Sequence, residues 1–473
     1  MMLTTQGQAK RKHTNGNPVP FGVYVWIGDD EWEFDMHAGK RFRLRPRWPE
    51  KSPWLYVCDA FSFYQCSFLK AIDPAEWGSD QAIVSEEEYE IIREGKMARG
   101  NAEFDEDMIR YNVLENRVMA RMMASLHRGL VHAGIYLARD QWYGPGQAAG
   151  KWLDKIKAPT AKQIQETVPV DARDAARRAY FGGWFEIFAH GIIPGKSYEY
   201  DIHSAYPQII SELPCLLHGT WQSVTRGTSS NNIALVYGTV EGSDNRCGTM
   251  LHRNQLGRVF RPQRSKGWFW NFEIEAGTRS GIISRCVVEQ TIRYLPCDCP
   301  PPISEIADLY SGRLRVGKKT PEGKALKLIM NSCYGKTAQS VGTPKYANPI
   351  YASMITAKCR TMILDAIVTH PNGTRDLLMV ATDGVYFRTP HPSLPVTKET
   401  LGTWDVKRRE NLTLFLPGMY WDDETRAAIT SGDRPKIKSR GINAEDFARC
   451  IDELDRQFER MTVMLASGRD MKE

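Results

Sequence analysis

The chain has 473 residues, 42% of them hydrophobic and 25% charged, an ordinary globular balance with length for about three domains. That balance excludes a disordered polyelectrolyte, and no run of 18 apolar residues offers a helical membrane span. Net charge is +6, from 62 Lys and Arg against 56 Asp and Glu, so where the charges lie matters more than their excess.

Residues 1–20 are polar and rich in Gly, Asn and Lys, which predicts a flexible arm. Aromatic strand patterns follow from Phe21 to Trp48 and include the basic run KRFRLRPR. Residues 73–107 read as a polar interval with the acidic cluster Glu86, Glu87 and Glu88. A long helix is expected next, because Val113, Val118, Met119, Met122 and Leu126 recur at helical steps. Residues 140–165 have the Gly, Pro and Lys content of a connecting segment, and DARDAARRAY after them reads as a basic helix. From 197 to about 300 the pattern is strand-like; 303–341 turns helical, broken by GKKTPEG, as a helical hairpin would be. Beyond it come a helix from Ser353 to Ile367, strand from Leu377 to Phe387, and a closing amphipathic helix from Ala444. The fold class expected is mixed α/β (α+β).

Ten cysteines without a regular framework read as reduced intracellular thiols. The tightest pair, Cys297 and Cys299, stands in LPCDCPPP; Cys247 and Cys286 are the partners considered for zinc, although C-x-C with such distant partners is a weak signal. The N-terminus lacks the apolar core of a signal peptide, so a cytoplasmic location and no membrane association are expected.

Three stretches carry chemistry. In DIHSAYPQII, residues 201–210, an alternating strand ends at Asp201 and a helix begins near Ser204, which leaves a carboxylate on a rigid corner. In GKALKLIMNSCYGKTAQSV, Lys327, Asn331 and Tyr334 stack at i, i+4 and i+7, a cationic, amide-bearing and aromatic face suited to a triphosphate and a base. Lys318, Lys319 and Arg313 lie in or before the adjoining turn. In LLMVATDGVYF, residues 377–387, Asp-Gly suits a type I′ hairpin turn with Asp383 at its tip. Each has a purely structural reading: a turn or cap Asp, a solvated basic helix, a plain hairpin. Converging, the two carboxylates can hold two divalent ions.

In this order, the stretches resemble the polymerase motifs of family B DNA polymerases, of the small phage, plasmid or viral type. DIHSAYP resembles motif A, D-x-x-S-L-Y-P, with Ala205 for Leu, and KLIMNSCYG fits motif B, K-x-x-x-N-S-x-Y-G, throughout. ATDG resembles motif C, D-T-D-S, with Ala381 and Gly384 at the first and last positions. YFGG, residues 180–183, resembles the Y-x-G-G element that touches template, KSRG, 438–441, the basic motif at the primer end, and GWFWNFEIEAG, 267–277, a palm strand region.

The resemblance implies a right-hand polymerase fold: antiparallel-sheet palm, helical-hairpin fingers, short thumb and an incomplete RNase H-like exonuclease remnant. The expected division is 1–140 for the remnant, 141–302 for linker and first palm segment, 303–342 for fingers, 343–410 for the second palm segment and 411–473 for thumb. By resemblance, Asp201, Asp383 and the Ile202 carbonyl hold two Mg²⁺, which Mn²⁺ can replace. Tyr206 packs under the sugar and excludes a 2′-hydroxyl; Lys327 meets the triphosphate; Asn331 and Tyr334 line the nascent pair. Arg313, Lys318 and Lys319 add phosphate contacts. Tyr180, Gly182 and Gly183 touch template, and Lys438 and Arg440 grip the primer. The partners implied are primer–template DNA and dNTPs.

The exonuclease signature is incomplete: Asp29 and Glu31 form a poor D-x-E, no second motif fits, and Tyr111 to Glu115 carries Glu in place of the third motif's Asp. Proofreading is therefore expected from a separate exonuclease, if anywhere, and an accessory replication subunit is a natural partner for so short a thumb. A catalytically weak or inactive polymerase-like DNA-binding subunit is the alternative, motivated by motif C, and a primase-like enzyme is disfavoured by Tyr206.

Overall fold

The computed structural model describes residues 23–466 apart from 38–40, 50, 78–81, 99–104, 225–232, 244–246, 343, 433–436, 440–441 and 443, together with 13–14 and 17–18. The expected flexible arm falls almost wholly outside these residues. The chain divides into two compact units, Met1–Ala158 with Asp308–Lys336, and Pro159–Ala307 with Thr337–Glu473. No described helix is long and apolar enough to cross a membrane.

In the first unit, strands Val23–Ile27, Asp30–His37, Arg41–Pro46 and Leu55–Cys58 form an antiparallel meander. Two arginines of the basic run are neutralised within this sheet. Arg43 and Arg45 lie directly opposite Asp35 and Glu33 and bond to them at 2.7 and 2.6 Å. The interval taken as polar holds the helix Glu86–Ala98, whose three leading glutamates occupy its first turn, where the helix dipole favours negative charge. Helix Glu106–His132 starts at Asp105, whose carboxylate accepts the Met108 N–H at 2.8 Å. Its buried stripe runs through Tyr111, Val118, Met122, Leu126 and Leu130, whereas the expected Val113 and Met119 are exposed. Val113 lies two residues past Tyr111, about 200° round the helix, and Met119 one residue past Val118, about 100° round, so both point away from their stripe neighbours. The expected connecting segment contains the helix Pro145–Lys155, which buries Ala148, Ala149, Trp152 and Leu153. Helices Ile306–Val316 and Pro321–Thr337 form the expected hairpin, and Gly323 is required in it, because a Cβ there would lie 1.9 Å from the Gly317 carbonyl oxygen.

The second unit is built on a seven-stranded antiparallel sheet. Its strands, in spatial order, are Lys438–Ser439, Met419–Trp421, Trp404–Leu416, Gly191–Ile202, Gly384–Phe387, Leu377–Thr382 and Trp184–Ile187. The expected palm–thumb boundary at residue 410 thus falls inside the strand Trp404–Leu416, and the sheet continues to Ser439. Helix Pro349–Thr369 buries fourteen of its residues, among them Arg360, which makes it an interior element rather than a surface one. It packs on the helices Asn271–Arg279, Val170–Arg178 and Ala205–Ser211 and on the strand Leu377–Thr382. A second, four-stranded sheet comprises Arg264–Trp270, Ile233–Gly242, Ile283–Leu295 and Thr220–Val224. GWFWNFEIEAG, read as strand, is strand only to Trp270; from Asn271 it is helical, since Asn271, Ile274 and Gly277 or Glu273, Ala276 and Gly277 face the core at three- to four-residue steps.

Candidate functional site

Asp201 lies at the end of the central strand Gly191–Ile202. In the ladder it stands opposite Gly384 on one side and Asp405 on the other. The Ile202 N–H donates to the Asp383 carbonyl oxygen at 3.0 Å, so the two acidic corners are joined through the backbone. The hairpin between them turns one residue earlier than Asp-Gly chemistry predicts. Ala381 pairs with Gly384, the turn residues are Thr382 and Asp383, and the positive φ of 65° falls on Thr382. The Asp383 N–H donates to the Ala381 oxygen at 2.8 Å, a three-residue turn. A β-branched residue in left-handed backbone is a strained choice, costing on the order of 1–3 kcal/mol, and the surroundings hold it there. Gly183 presses on it so closely that a Cβ would meet the Thr382 Cγ2 at 2.6 Å, and the Cys359 thiol donates to the Thr382 oxygen at 3.4 Å.

That brace is itself anchored. Arg360, buried on the long helix, donates from Nη1 to the carbonyls of Phe181 and Gly182 at 3.0 and 2.5 Å and from Nε to Glu273 at 2.5 Å. Ser204, which opens the helix after Asp201, is also left-handed, with φ 53° and ψ 55°, and its hydroxyl makes no capping bond. Two strained non-glycine residues thus flank the two carboxylates.

Burial pushes the Asp201 carboxyl up to about 7, and the negative charges of Asp383, Glu199 and Asp405 add to it against the pull of the Lys438 ammonium. Asp383 moves the same way, again chiefly from burial. Asp201 nonetheless keeps an open face to solvent. Oxygen donors that repel one another and reach solvent suit a hard divalent cation, which would relieve both costs. Gly384 keeps the space clear: a Cβ there would lie 3.3 Å from Asp201 Oδ1.

Within the first unit, helix Pro321–Thr337 buries Ala325, Leu326, Ile329, Met330 and Cys333 and turns Lys327 and Asn331 outward, with Tyr334 half-buried beside them. The face expected from spacing is therefore real. Burial of its stem lowers the Lys327 ammonium, and the neighbouring Arg313 charge lowers it further. Lys324, one turn earlier, lies 3.6 Å over the Trp77 ring, and burial brings it down to about 8.

Residues 75–374 match the family of DNA polymerases type B, organellar and viral. The chain belongs to this family. It is 27% identical over 357 residues to the DNA polymerase of Acidianus bottle-shaped virus (isolate Italy/Pozzuoli), covering 72% of this chain and 50% of that one. The chain thus spans about half the length of that relative. Phi29 DNA polymerase complexed with primer–template DNA superposes with a TM-score of 0.60 at 13% identity, over 86% of this chain and 76% of that one. Its ternary complex with incoming nucleotide gives 0.59 at 12%, over the same shares. At that identity the likeness speaks for the fold, a right-hand polymerase architecture.

In this type B chain, Asp201, Ile202 and Asp383 meet at one end of the sheet, with Lys438 close enough to act on both carboxyls. Burial holds the Tyr206 phenol well above its ordinary value, and the Asp383 charge acts on it too. Tyr180, also felt by Tyr206, precedes the braced Gly182 and Gly183. Arg313 spends its Nε on the Gly323 carbonyl at 3.2 Å and Lys319 its ammonium on Ala75 O at 2.8 Å. Lys318 lies in the hairpin turn; Arg440 lies outside the described residues. Three groups went unnoticed in the sequence. Asp405 is the cross-strand neighbour of Asp201; Glu199, on the same strand face, accepts from Tyr386 at 2.6 Å and Arg409 at 2.7 Å; and Glu273 holds Arg360. Each depends on strand register or helix packing, and no local motif marks it.

Proposed function

We propose that the chain is a template-directed DNA polymerase of replication, adding dNTPs to a primer 3′ end. The observation that carries this reading is the meeting of Asp201, at the end of its strand, with Asp383, in the turn of the neighbouring hairpin, in a chain of this family. Asp201, Asp383 and the Ile202 carbonyl would hold two Mg²⁺, replaceable by Mn²⁺, and the bound ions would supply activation of the attacking hydroxyl and stabilisation of the leaving pyrophosphate.

The chain's own residues do the rest. Lys327 pairs with the triphosphate and donates a proton to departing pyrophosphate, a task its lowered affinity for protons assists. Asn331 and Tyr334 border the nascent pair, and Tyr206 packs under the sugar and selects deoxynucleotides. Lys438 and Arg440 hold the primer backbone, while Tyr180, Gly182 and Gly183 contact template. Arg313, Lys318 and Lys319 reach the phosphates once they leave their present partners. Residues 1–140 are an exonuclease-like remnant without proofreading, and a separate exonuclease or accessory subunit completes the replication complex in the host cytoplasm. This fits the engagement of Glu31 by Arg47 and of Glu115 by Lys96 at 2.5 Å.

Primer extension on a labelled hairpin with Mg²⁺ or Mn²⁺ tests the reading. Incorporation of dNTPs, abolished in Asp201→Asn and Asp383→Asn, is expected. Tight primer–template binding with no incorporation under either metal would instead identify a DNA-binding subunit, the reading that Ala381 favours.

A further inference from the structure

The C-x-C pair finds its partners elsewhere than Cys247 and Cys286. Cys215 and His218 lie between the helix Ala205–Ser211 and the strand Thr220–Val224, and Cys297 and Cys299 follow the strand Ile283–Leu295. Those two strands are antiparallel neighbours with Leu295 opposite Thr220. Residues just before 220 and just after 295 therefore leave the sheet side by side.

The three sulfurs and a ring nitrogen of His218 all lie within 4.8 Å of one another. His218 Nδ1 stands 3.5 Å from Cys215 Sγ and 3.2 Å from Cys299 Sγ. In a tetrahedral zinc site, with bonds of about 2.3 Å to sulfur and about 2.0 Å to nitrogen, ligand atoms sit about 3.5–3.8 Å apart. The two histidine–sulfur separations match to a few tenths of an ångström, and the remaining pairs need to close by at most about 1 Å. All four cysteine and histidine positions lie in the second unit, and every cysteine is free of disulfide.

The supporting backbone is pinned. The Tyr294 hydroxyl donates to the Cys215 carbonyl, and the Tyr351 hydroxyl donates to Pro214 O at 2.8 Å. Gly219 admits this approach, since a Cβ there would fall 2.1 Å from the Tyr294 hydroxyl oxygen. These tyrosines orient the ligand-bearing turn as outer partners orient metal ligands elsewhere.

We propose that Cys215, His218, Cys297 and Cys299 bind one Zn²⁺, the histidine through Nδ1. Three thiols lose their protons to solvent as the metal–sulfur bonds form, and the neutral imidazole contributes its lone pair. Four protein ligands leave no position for substrate, so the ion is structural. It staples the turn that follows the helix Ala205–Ser211 to the segment that leaves the strand Ile283–Leu295. The site shares no residue with the carboxylate pair.

The test uses the full chain purified from zinc-supplemented cells, with metal measured by inductively coupled plasma mass spectrometry. About one zinc per chain is expected, released in step with thiol modification by a mercurial. Co²⁺ loaded in its place should give the visible absorption of a tetrahedral thiolate complex. Cys297→Ser and Cys299→Ser should lose the metal and lower the melting temperature by about 5 °C or more, whereas Cys286→Ser and Cys450→Ser should keep it. Should the serine variants fail to fold, Cys299→His, which preserves a ligand, should retain zinc. Zinc below about a tenth per chain in the unaltered protein, or undiminished in the two serine variants, would overturn the assignment.

Discussion

Two ion pairs join the helices Asn271–Arg279 and Pro349–Thr369, and they should differ sharply in worth. Arg360 and Glu273, 1% and 4% exposed, meet at 2.5 Å; Arg279 and Asp365 meet at 2.7 Å with side chains 55% and 45% exposed. Removing one partner of a buried pair costs about 3–5 kcal/mol, because the other charge stays desolvated. An exposed pair contributes about 0.2–1 kcal/mol. Glu273→Gln keeps the shape but removes the charge, and Arg360 Nη2 already has no hydrogen-bond partner among the described residues. Burial also brings the nearby Arg261 down to about 10, and that residue gains from the Glu273 charge as well. The loss for Glu273→Gln should therefore reach about 3 kcal/mol, and Asp365→Asn should stay under about 1 kcal/mol. Urea unfolding followed by near-ultraviolet circular dichroism reads both variants under one set of conditions. Equal losses, or a smaller one for Glu273→Gln, would refute the claim that this pair anchors the Phe181–Gly183 segment.

Gly384→Val places a branched side chain whose Cβ lies 3.3 Å from Asp201 Oδ1, so it should slow primer extension about tenfold at limiting Mg²⁺ and recover at high Mg²⁺; unchanged kinetics would count against crowding. In EDTA, the raised Asp201 carboxyl means the folded chain holds a proton that the unfolded chain releases near pH 4. Stability should thus fall as pH rises from about 4 towards 7, and the fall should be shallower in Asp201→Asn, by thermal melts. Lys438→Ala should weaken primer–template binding for every sequence alike and flatten its log–log salt slope by about one, measured by fluorescence anisotropy. Tyr206→Val should admit ribonucleotides that the parent rejects, in parallel extensions with rNTPs and dNTPs.

Local chemistry was legible before any fold. Lys327, Asn331 and Tyr334 share a helix face because 3.6 residues per turn puts them there, and the buried residues opposite confirm the helix that spacing required. Asp201 at a strand end and Asp383 at a hairpin tip follow from alternation and turn residues alone, although the hairpin turned at Thr382 and not at Gly384. That shift comes from outside the hairpin, where Gly183 and the adjoining strand hold Thr382 in a conformation that its own sequence disfavours. The zinc ligands show the same limit from the other side. Cys297 and Cys299 are neighbours in sequence, but 79 residues separate Tyr294 from the Cys215 carbonyl it holds, and only the Leu295–Thr220 register brings the two segments together. Periodicity and turn chemistry act over a few residues; register and packing act between segments that the chain order keeps far apart, and there the tertiary structure decides.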